Sequence, residues 1–363
     1  MQHINFLRSL LKDSTDILGG IRLATGGLSI DVAYGIKVSD GNDPHLLAAD
    51  EAMRALSLVI TPGSFWVETL PLLKHLPTWF PGAGFRRQGA CWQQTTAAVV
   101  ETPFNEVKTA MMTDTAEPSF TLNSLKRFEN LQHQEKERAE QVIRNCAGVI
   151  HAAGGDTTAA EIAWFILGIL NNPQAQYAAQ EELDHVLGHG TLPTFADQPM
   201  LPHVTAIVKE TLRWGAITPL AVPHYTDTQD EYQGYLIPAH SLVIGNAWAI
   251  LHDEKIYQEA HQFKPERFLR NGQINPDIMD PDIAAWGFGR RVCPGMHMAK
   301  GTMWISIASI LASFNIEKAH DEYGNTIEPS FECTPGIVRG PLPFQCTITP
   351  RSSQTTEAIL ATE

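Results

Sequence analysis

Residues 135–170 carry the pattern that most restricts how this chain can fold. The segment begins with charged residues and becomes apolar on nearly every face beyond Cys146. A helix that is apolar all round is buried in the core of a large protein. At about 1.5 Å per residue, such a helix would be roughly 50 Å long, enough to cross the whole molecule. The sequence therefore predicts that the rest of the chain packs around this helix and buries it in the core.

Shorter patterns predict the remaining elements. Apolar residues at helical spacing predict helices at residues 6–18, 50–58, 173–187, 203–214 and 296–314. Short runs bounded by turn residues predict strands at residues 221–226, 235–237, 242–244 and 344–348. Prolines alternate with aromatic residues over 62–85, which predicts a helix–loop–helix with an exposed aromatic rim. The expected fold class is mainly α with small β-sheets, in one domain over residues 1–350 with a polar C-terminal tail over 351–363.

The amino-acid composition excludes several classes of protein for this chain. Of the 363 residues, 44% are hydrophobic and only 18% are charged, which indicates a globular chain. A net charge of −14 argues against nucleic acid as a partner. Five cysteines without paired spacing indicate intracellular thiols instead of a disulfide framework. No signal peptide and no clean transmembrane span are apparent, so we expect an intracellular chain without a transmembrane anchor.

One cysteine lies in a glycine-rich turn, in the run Trp286-Gly287-Phe288-Gly289-Arg290-Arg291-Val292-Cys293-Pro294-Gly295. The two preceding arginines and the N-terminus of the following helix favour a thiolate over a thiol. The glycines let the backbone bend close to a bulky partner and direct its N–H groups at the sulfur. Haem iron takes a single axial cysteine, whereas zinc would need three or four ligands, and no second Cys or His lies at a suitable spacing. A buried structural cysteine is the remaining alternative.

A second unusual run, Ala153-Gly154-Gly155-Asp156-Thr157-Thr158, lies inside the long helix. Each glycine in a helix interior costs roughly 1 kcal/mol relative to alanine, and a carboxylate in an apolar segment is expensive to bury. Glycines would let a ligand press against the helix, and a threonine hydroxyl can bond a preceding carbonyl. Such local violations indicate a functional site. A kinked structural helix with a salt-bridged Asp156 is the alternative.

The cysteine run resembles the haem-binding loop of cytochrome P-450, the haem-thiolate monooxygenases. The family pattern is Phe-x-x-Gly-x-Arg-x-Cys-x-Gly, and Gly289, Arg291, Cys293 and Gly295 match it, while Trp286 replaces the Phe. The resemblance implies the cytochrome P-450 fold, haem b with Cys293 as the iron ligand and Gly289 in the cofactor-binding turn. It also implies use of dioxygen, with NADPH acting only indirectly through a reductase.

The same resemblance assigns roles to further residues. The run around Asp156 is similar to the family's oxygen-binding pattern, so Asp156 and Thr157 would relay protons during oxygen activation. Arg291 and His224 would neutralise the haem propionates; an ordinary strand histidine is the alternative for His224. Three residues would form a buried structural triad: Glu210, Arg213 and Arg267. Apolar positions expected to face the substrate are Val149, Ala152, Ala153, 217–222 and 337–338.

The resemblance covers nearly the whole chain, but the family is longer. This sequence matches from a point just after the helix that carries a Trp/Arg pair in the family. We therefore expect the N-terminal quarter of the fold, including the membrane anchor to the endoplasmic reticulum, to be lacking. The segment 62–85 looks like that of fungal, mushroom-type members and is a candidate for peripheral membrane contact.

The leading hypothesis is a monooxygenase that hydroxylates an apolar small molecule with electrons from an NADPH-dependent flavoprotein reductase, in fungal secondary metabolism. This assignment to a pathway rests on family analogy. Two alternatives stay open. A haem-thiolate isomerase or dehydratase would need no proton relay, and a truncated non-catalytic remnant or scaffold would need no intact site.

Overall fold

The computed structural model describes residues 2–12, 15–38 and 41–362. The chain divides into two compact units, Met1–Ala159 and Ala160–Glu363. The mainly α class with small antiparallel sheets is confirmed. The α-helices are α1 Gln2–Lys12, α2 Ile17–Tyr34, α3 Pro44–Ile60, α4 Trp66–Thr69, α5 Gly84–Met112, α6 Phe120–Arg127, α7 His133–Asn171, α8 Pro173–Leu187, α9 Pro202–Gly215, α10 Ala247–Leu251, α11 Asp282–Ala285, α12 Met296–Ser313 and α13 Ser353–Ala361. The strands are β1 His224–Tyr225, β2 Asp230–Tyr232, β3 Tyr235–Ile237, β4 Leu242–Val243, β5 Leu269–Arg270, β6 Gln273–Ile274, β7 Phe314–Lys318 and β8 Cys346–Pro350.

The first unit consists of α1 to α6 and the first part of α7. The predicted single helix over 6–18 is wrong, because α1 ends at Lys12 and α2 begins after Asp16; residues 13 and 14 lie outside the described residues. Asp16 starts α2 because its carboxylate accepts the N–H of Gly19 at 2.9 Å. A hydrophobic core cluster of the first unit contains Ile30, Ala33, Tyr34, Phe104, Val107, Leu122, Leu125, Ile143 and Ala147.

The long helix is confirmed as α7, within two residues of its predicted ends. Its second half is continuously buried from Thr158 to Leu170, as expected for a helix that is apolar on all faces. The first half is not: Val149 and Ala153, two of the expected substrate-facing residues, are exposed, whereas Ala152 is half-buried.

In the second unit, α9 packs against α8, α12 and the 3₁₀ turn Pro265–Phe268. The last eleven residues of α12, from Met303 to Ser313, are all buried. α12 runs directly into β7, which pairs antiparallel with β8 so that Ile316 lies opposite Ile348. The other two-stranded sheets among the described residues pair β1 with β4, β2 with β3 and β5 with β6.

The aromatic rim predicted for 62–85 is present. This segment contains α4 and a 3₁₀ turn, Pro71–His75, before α5 begins. Trp66 and Trp79 are each 78% exposed, and Leu72 is 82% exposed. These large apolar side chains therefore face away from the core of the first unit.

Two further expectations concern the chain as a whole. The residues expected to form a polar tail include α13, whose Ile359 is fully buried. Across residues 2–12, 15–38 and 41–362, no helix combines the length and the apolar character needed to span a bilayer. The single domain over 1–350 stays a prediction.

Candidate functional site

Cys293 lies in the second unit, in the turn that leads into α12. Its backbone N–H donates to the carbonyl of Trp286 at 2.8 Å, which closes the loop between the two residues. Gly287 and Gly289 have φ angles of +78° and +58°, a left-handed backbone that glycine adopts without strain. The loop shape is therefore fixed by the glycines of the motif, and the Cys293 side chain is half-buried.

The donor set fits a group that needs one protein ligand. Among the described residues, no three His, Cys, Asp or Glu side chains come together as a metal cluster, and all five cysteines are free thiols. A tetrahedral zinc site needs three or four such ligands, whereas haem iron is held by one axial thiolate. Cys293 alone therefore suits haem and does not suit zinc.

The surface joined to this loop is apolar. The sheet of β1 and β4 leads into Gly245, where an added Cβ would lie 2.2 Å from the ring of Phe288. Leu242 on this sheet is 68% exposed, and Val222 just before it is 64% exposed. Exposed apolar patches of this kind commonly mark ligand-binding grooves. A flat, largely apolar macrocycle would fit such a surface.

The two candidate propionate ligands have side chains available for a carboxylate. Arg291 is exposed at the end of a 3₁₀ turn, Gly289–Arg291, and its guanidinium makes no ion pair within the described part of the chain. His224 is exposed in β1, opposite Val243 of β4. The assignment of both residues to haem propionates stays a prediction.

Asp156 and Thr157 lie on α7 in the first unit. The hydroxyl of Thr157 donates to the carbonyl of Ala153 at 2.7 Å, which confirms the expected bond to a preceding carbonyl. Asp156 is half-buried and lines a cavity of about 360 Å³ between α2, α3 and α7. Asp16, Arg22, Asp50 and His151 line the same cavity, so the carboxyl of Asp156 shares it with one cation and two further carboxyls.

The cavity alters the protonation of its acids. Burial raises the pKa of Asp156 above its usual range, and the positive charge of Arg22 opposes that rise. Burial also raises the pKa of Asp50, and the neighbouring Asp156 charge adds to the rise. Burial lowers the pKa of His151 to about 4, so this imidazole is neutral near pH 7. The carboxyls of Asp156 and Asp50 are therefore better able to take up a proton than exposed ones.

One interpretation of the glycines in this run is wrong for Gly155. We expected a ligand to occupy the space that a side chain would fill. An added Cβ on Gly155 would instead lie 3.1 Å from the Cα of Gly26 on α2. The glycine thus allows close helix–helix packing within the first unit.

The structural triad is confirmed. Arg213 forms a bidentate pair with Glu210, with N–O distances of 2.7 and 2.8 Å, and both side chains are fully buried. Arg267 donates from Nε to the same carboxylate at 3.2 Å. The guanidinium of Arg213 also donates to the carbonyls of Leu251 and Ala260. The Glu210 carboxylate is therefore paired with two guanidinium groups, and all three charged groups are hydrogen-bonded, as buried ions require.

Sequence reasoning missed a buried acid on the same long helix. Glu161 in the second unit is buried, and its Oε2 has no hydrogen-bond partner among the residues that the structure describes. Burial raises its pKa to about 8. The signal was present in the sequence, since Glu161 is the one charged residue between Asp156 and Asn171.

Comparison with known proteins identifies the family. The sequence matches the family Cytochrome P450 over residues 3–348. The chain belongs to the cytochrome P450 family. Membership implies a haem group with a cysteine thiolate as the iron ligand.

The relatives are fungal monooxygenases by name. Cytochrome P450 monooxygenase 98 of Postia placenta is 41% identical over 339 residues, which cover 93% of this chain and 65% of the relative. Tryptamine 4-monooxygenase of Psilocybe cyanescens is 38% identical over 358 residues, covering 97% and 69%. A cytochrome P450 monooxygenase of Armillaria gallica is 40% identical over 354 residues, covering 97% and 68%. The chain thus spans about two thirds of the length of these relatives.

Proposed function

We propose that this chain binds haem through Cys293 and inserts one oxygen atom of dioxygen into an apolar small molecule. The observation that carries the proposal is the lone thiol of Cys293 in a glycine-shaped loop that leads into α12, whose last eleven residues are buried. Haem, when bound, would supply the redox chemistry that activates dioxygen. The names of the relatives, which are monooxygenases, support the reaction type.

The residues of the cysteine loop would hold the cofactor. Cys293 would supply the thiolate that holds the haem iron, and Gly289 would keep the turn in its left-handed conformation. Arg291 and His224 would pair with the propionate carboxylates, since each is exposed. Such pairing would neutralise carboxylates that an apolar surface leaves poorly hydrated.

Asp156 and Thr157 would hold and move protons. The second oxygen atom of dioxygen must leave as water, which requires protons from the chain. Asp156 takes up a proton more readily than an exposed carboxyl, because burial raises its pKa, so it can hold the proton that the reaction needs. The Thr157 hydroxyl donates to a main-chain carbonyl, which orients its oxygen to accept a proton from elsewhere.

The electrons would come from a separate NADPH-dependent flavoprotein reductase. The substrate would be an apolar small molecule, because the expected substrate-facing positions carry apolar side chains. Fungal secondary metabolism is the setting that the relatives favour; one of them is named for oxidation of tryptamine.

The aromatic rim would contact a membrane surface. Trp66, Leu72 and Trp79 are exposed together in one segment, and tryptophan prefers the membrane interface. A Leu72→Ser, Trp79→Ser variant should sediment several-fold less with phosphatidylcholine vesicles than the wild-type chain. Tyr323→Ser, which removes an equally exposed aromatic residue elsewhere, is the matched control. Equal sedimentation of all three chains would contradict membrane contact by this rim.

The test of haem binding is the carbon-monoxide difference spectrum of the reduced chain. The wild-type chain should show a thiolate-type Soret band, and Cys293→Ala should lose it. Cys91→Ala, which removes an exposed thiol on α5, should keep it. A thiolate-type band in Cys293→Ala would overturn the assignment.

The test of proton transfer uses the haem-loaded chain with a reductase and any substrate it accepts. Thr157→Ala should bind haem normally but release more peroxide for each NADPH consumed, because a positioned proton donor contributes about 10²–10⁴-fold in rate. Thr157→Ser keeps the hydroxyl and should stay coupled. Equal coupling in all three chains would remove Thr157 from the mechanism.

A further inference from the structure

Trp286 begins the cysteine loop and makes contacts that the Phe of the family pattern could not make. Its indole N–H donates to the carboxylate of Asp282 at 2.6 Å. Phenylalanine has no N–H group, so this bond exists only because the residue here is tryptophan. An ionised acceptor makes such a bond roughly twice as strong as a neutral one.

Asp282 is itself held from two directions. The ammonium group of Lys300 on α12 pairs with its second carboxylate oxygen, and the same ammonium group lies 5.9 Å from the centre of the Trp286 ring. The backbone N–H of Asp282 donates to the Asp280 carboxylate at 3.1 Å, and Asp280 pairs with Lys209 of α9. The acceptor of the indole bond is therefore fixed to α9 and α12.

The cluster connects directly to the proposed iron ligand. The carbonyl of Trp286 accepts the N–H of Cys293, so the same residue that is anchored through its ring positions the amide of Cys293. If the ring were released, this carbonyl could turn and the Cys293 amide would lose its fixed partner. Groups one step removed from a metal ligand commonly orient that ligand in this way.

We infer that Asp282, Lys300 and the Trp286 indole form a clamp that positions Cys293 for haem, so that Asp282 is a positioning residue of this chain. The clamp rests on the proposed binding of haem at Cys293. It also acts in the absence of haem, because every one of its bonds is made within the protein. Two independent readouts follow, one in the haem-free chain and one in the haem-loaded chain.

The first readout is hydrogen exchange of the peptide covering residues 286–293 in the haem-free chain. Trp286→Phe, which restores the ring type of the family pattern, should speed exchange of this peptide about 10-fold or more, because it removes a hydrogen bond to a charged group. Asp282→Ala should do the same. The double variant should exchange no faster than the faster single variant, because both changes break one shared bond.

The second readout is haem dissociation from the loaded chain, measured by transfer to an excess of an apo-globin. Trp286→Phe and Asp282→Ala should each release haem about 10–100-fold faster than the wild type. They should also broaden the thiolate-type Soret band of the reduced carbon-monoxide complex. A change in the spectrum shows an effect at the thiolate itself, which a merely structural role in the second unit would not produce.

The controls separate the two hypotheses. Asp277→Asn, which removes an exposed carboxylate paired with Arg270, should leave both readouts unchanged. If Asp282→Ala fails to fold, Lys300→Met takes its place, because it frees one side of the same carboxylate. A wild-type chain without a thiolate-type spectrum would refute the proposed function, while the exchange experiment would still test the clamp. If Trp286→Phe exchanges hydrogen and releases haem at the same rates as the wild-type chain, the clamp hypothesis is refuted.

Discussion

Replacing Glu161 by glutamine should remove a strong pH dependence from the stability of the chain. Glu161 is buried, its Oε2 has no hydrogen-bond partner in the described part of the chain, and burial raises its pKa to about 8 from 4.5. In the unfolded chain the side chain is hydrated and keeps its ordinary pKa. The folded chain therefore binds a proton that the unfolded chain releases between pH 4.5 and about 8.

The sign and size of the effect follow from proton linkage. Because the folded state binds more protons in this window, stability is highest below pH 4.5 and decreases as the pH rises towards 8. At about 1.4 kcal/mol per pH unit, the full window amounts to about 4–5 kcal/mol for this one group. Other groups titrate over the same range, so the informative quantity is the difference between wild type and Glu161→Gln.

The assay is urea unfolding of the haem-free wild-type and Glu161→Gln chains at several pH values between 4.5 and 8. The variant should gain stability relative to the wild type steadily as the pH rises. Glu231→Gln, which neutralises an exposed glutamate on β2, should follow the wild-type curve. Parallel curves for wild type and Glu161→Gln would show that Glu161 is ionised in the folded chain, and the burial argument would fail.

Three further changes test other parts of the structure. Arg213→Ala should cost about 3–5 kcal/mol because it leaves Glu210 with a weakened partner set, whereas Arg267→Ala should cost about 1–3 kcal/mol because the bidentate Glu210–Arg213 pair remains; equal unfolding midpoints for the two variants would contradict this order. Gly245→Ala should lower the free energy of unfolding by about 1–3 kcal/mol, because the new methyl group displaces the Phe288 ring. Gly89→Ala, on a helix with open space around the glycine, should not destabilise the chain. Thermal unfolding of the two variants measures the difference. Burial lowers the pKa of His151 to about 4 from 6.5. The stabilising contribution of the neutral imidazole should therefore be present above pH 6.5 and lost as the pH falls towards 4. Unfolding curves at both pH values should show that His151→Phe removes most of this loss.

The parts of the fold that the sequence predicted are those set by local chemistry. The glycines at 287 and 289 shape the cysteine loop by their own backbone freedom, so the motif was sufficient. α7 and α12 were predicted because continuous burial requires continuous apolar sequence. α8 was predicted with the bounds it has, since Pro173 starts it and Gly188 follows its end.

The parts that the sequence did not predict either depend on residues distant in the sequence or lack a clear stripe of apolar side chains along the helix. α5 was missed because few of its side chains are buried and Pro103 lies inside it. Most of α2 was missed because its buried face includes Gly26, Gly27 and Ser29, which pattern analysis does not count as apolar. The cavity around Asp156 could not be predicted, because Arg22 and Asp50 lie more than a hundred residues away in sequence.

The burial of the last eleven residues of α12 has a consequence for biosynthesis. The strand β8, which pairs with β7 directly after this helix, is synthesised after α12. An apolar helix without its neighbours is prone to aggregation and to capture by chaperones. The ladder beside Phe314–Lys318 can close only once Cys346–Pro350 has been synthesised. We therefore expect the yield of soluble chain in a recombinant host to rise at low temperature, where hydrophobic association is weaker.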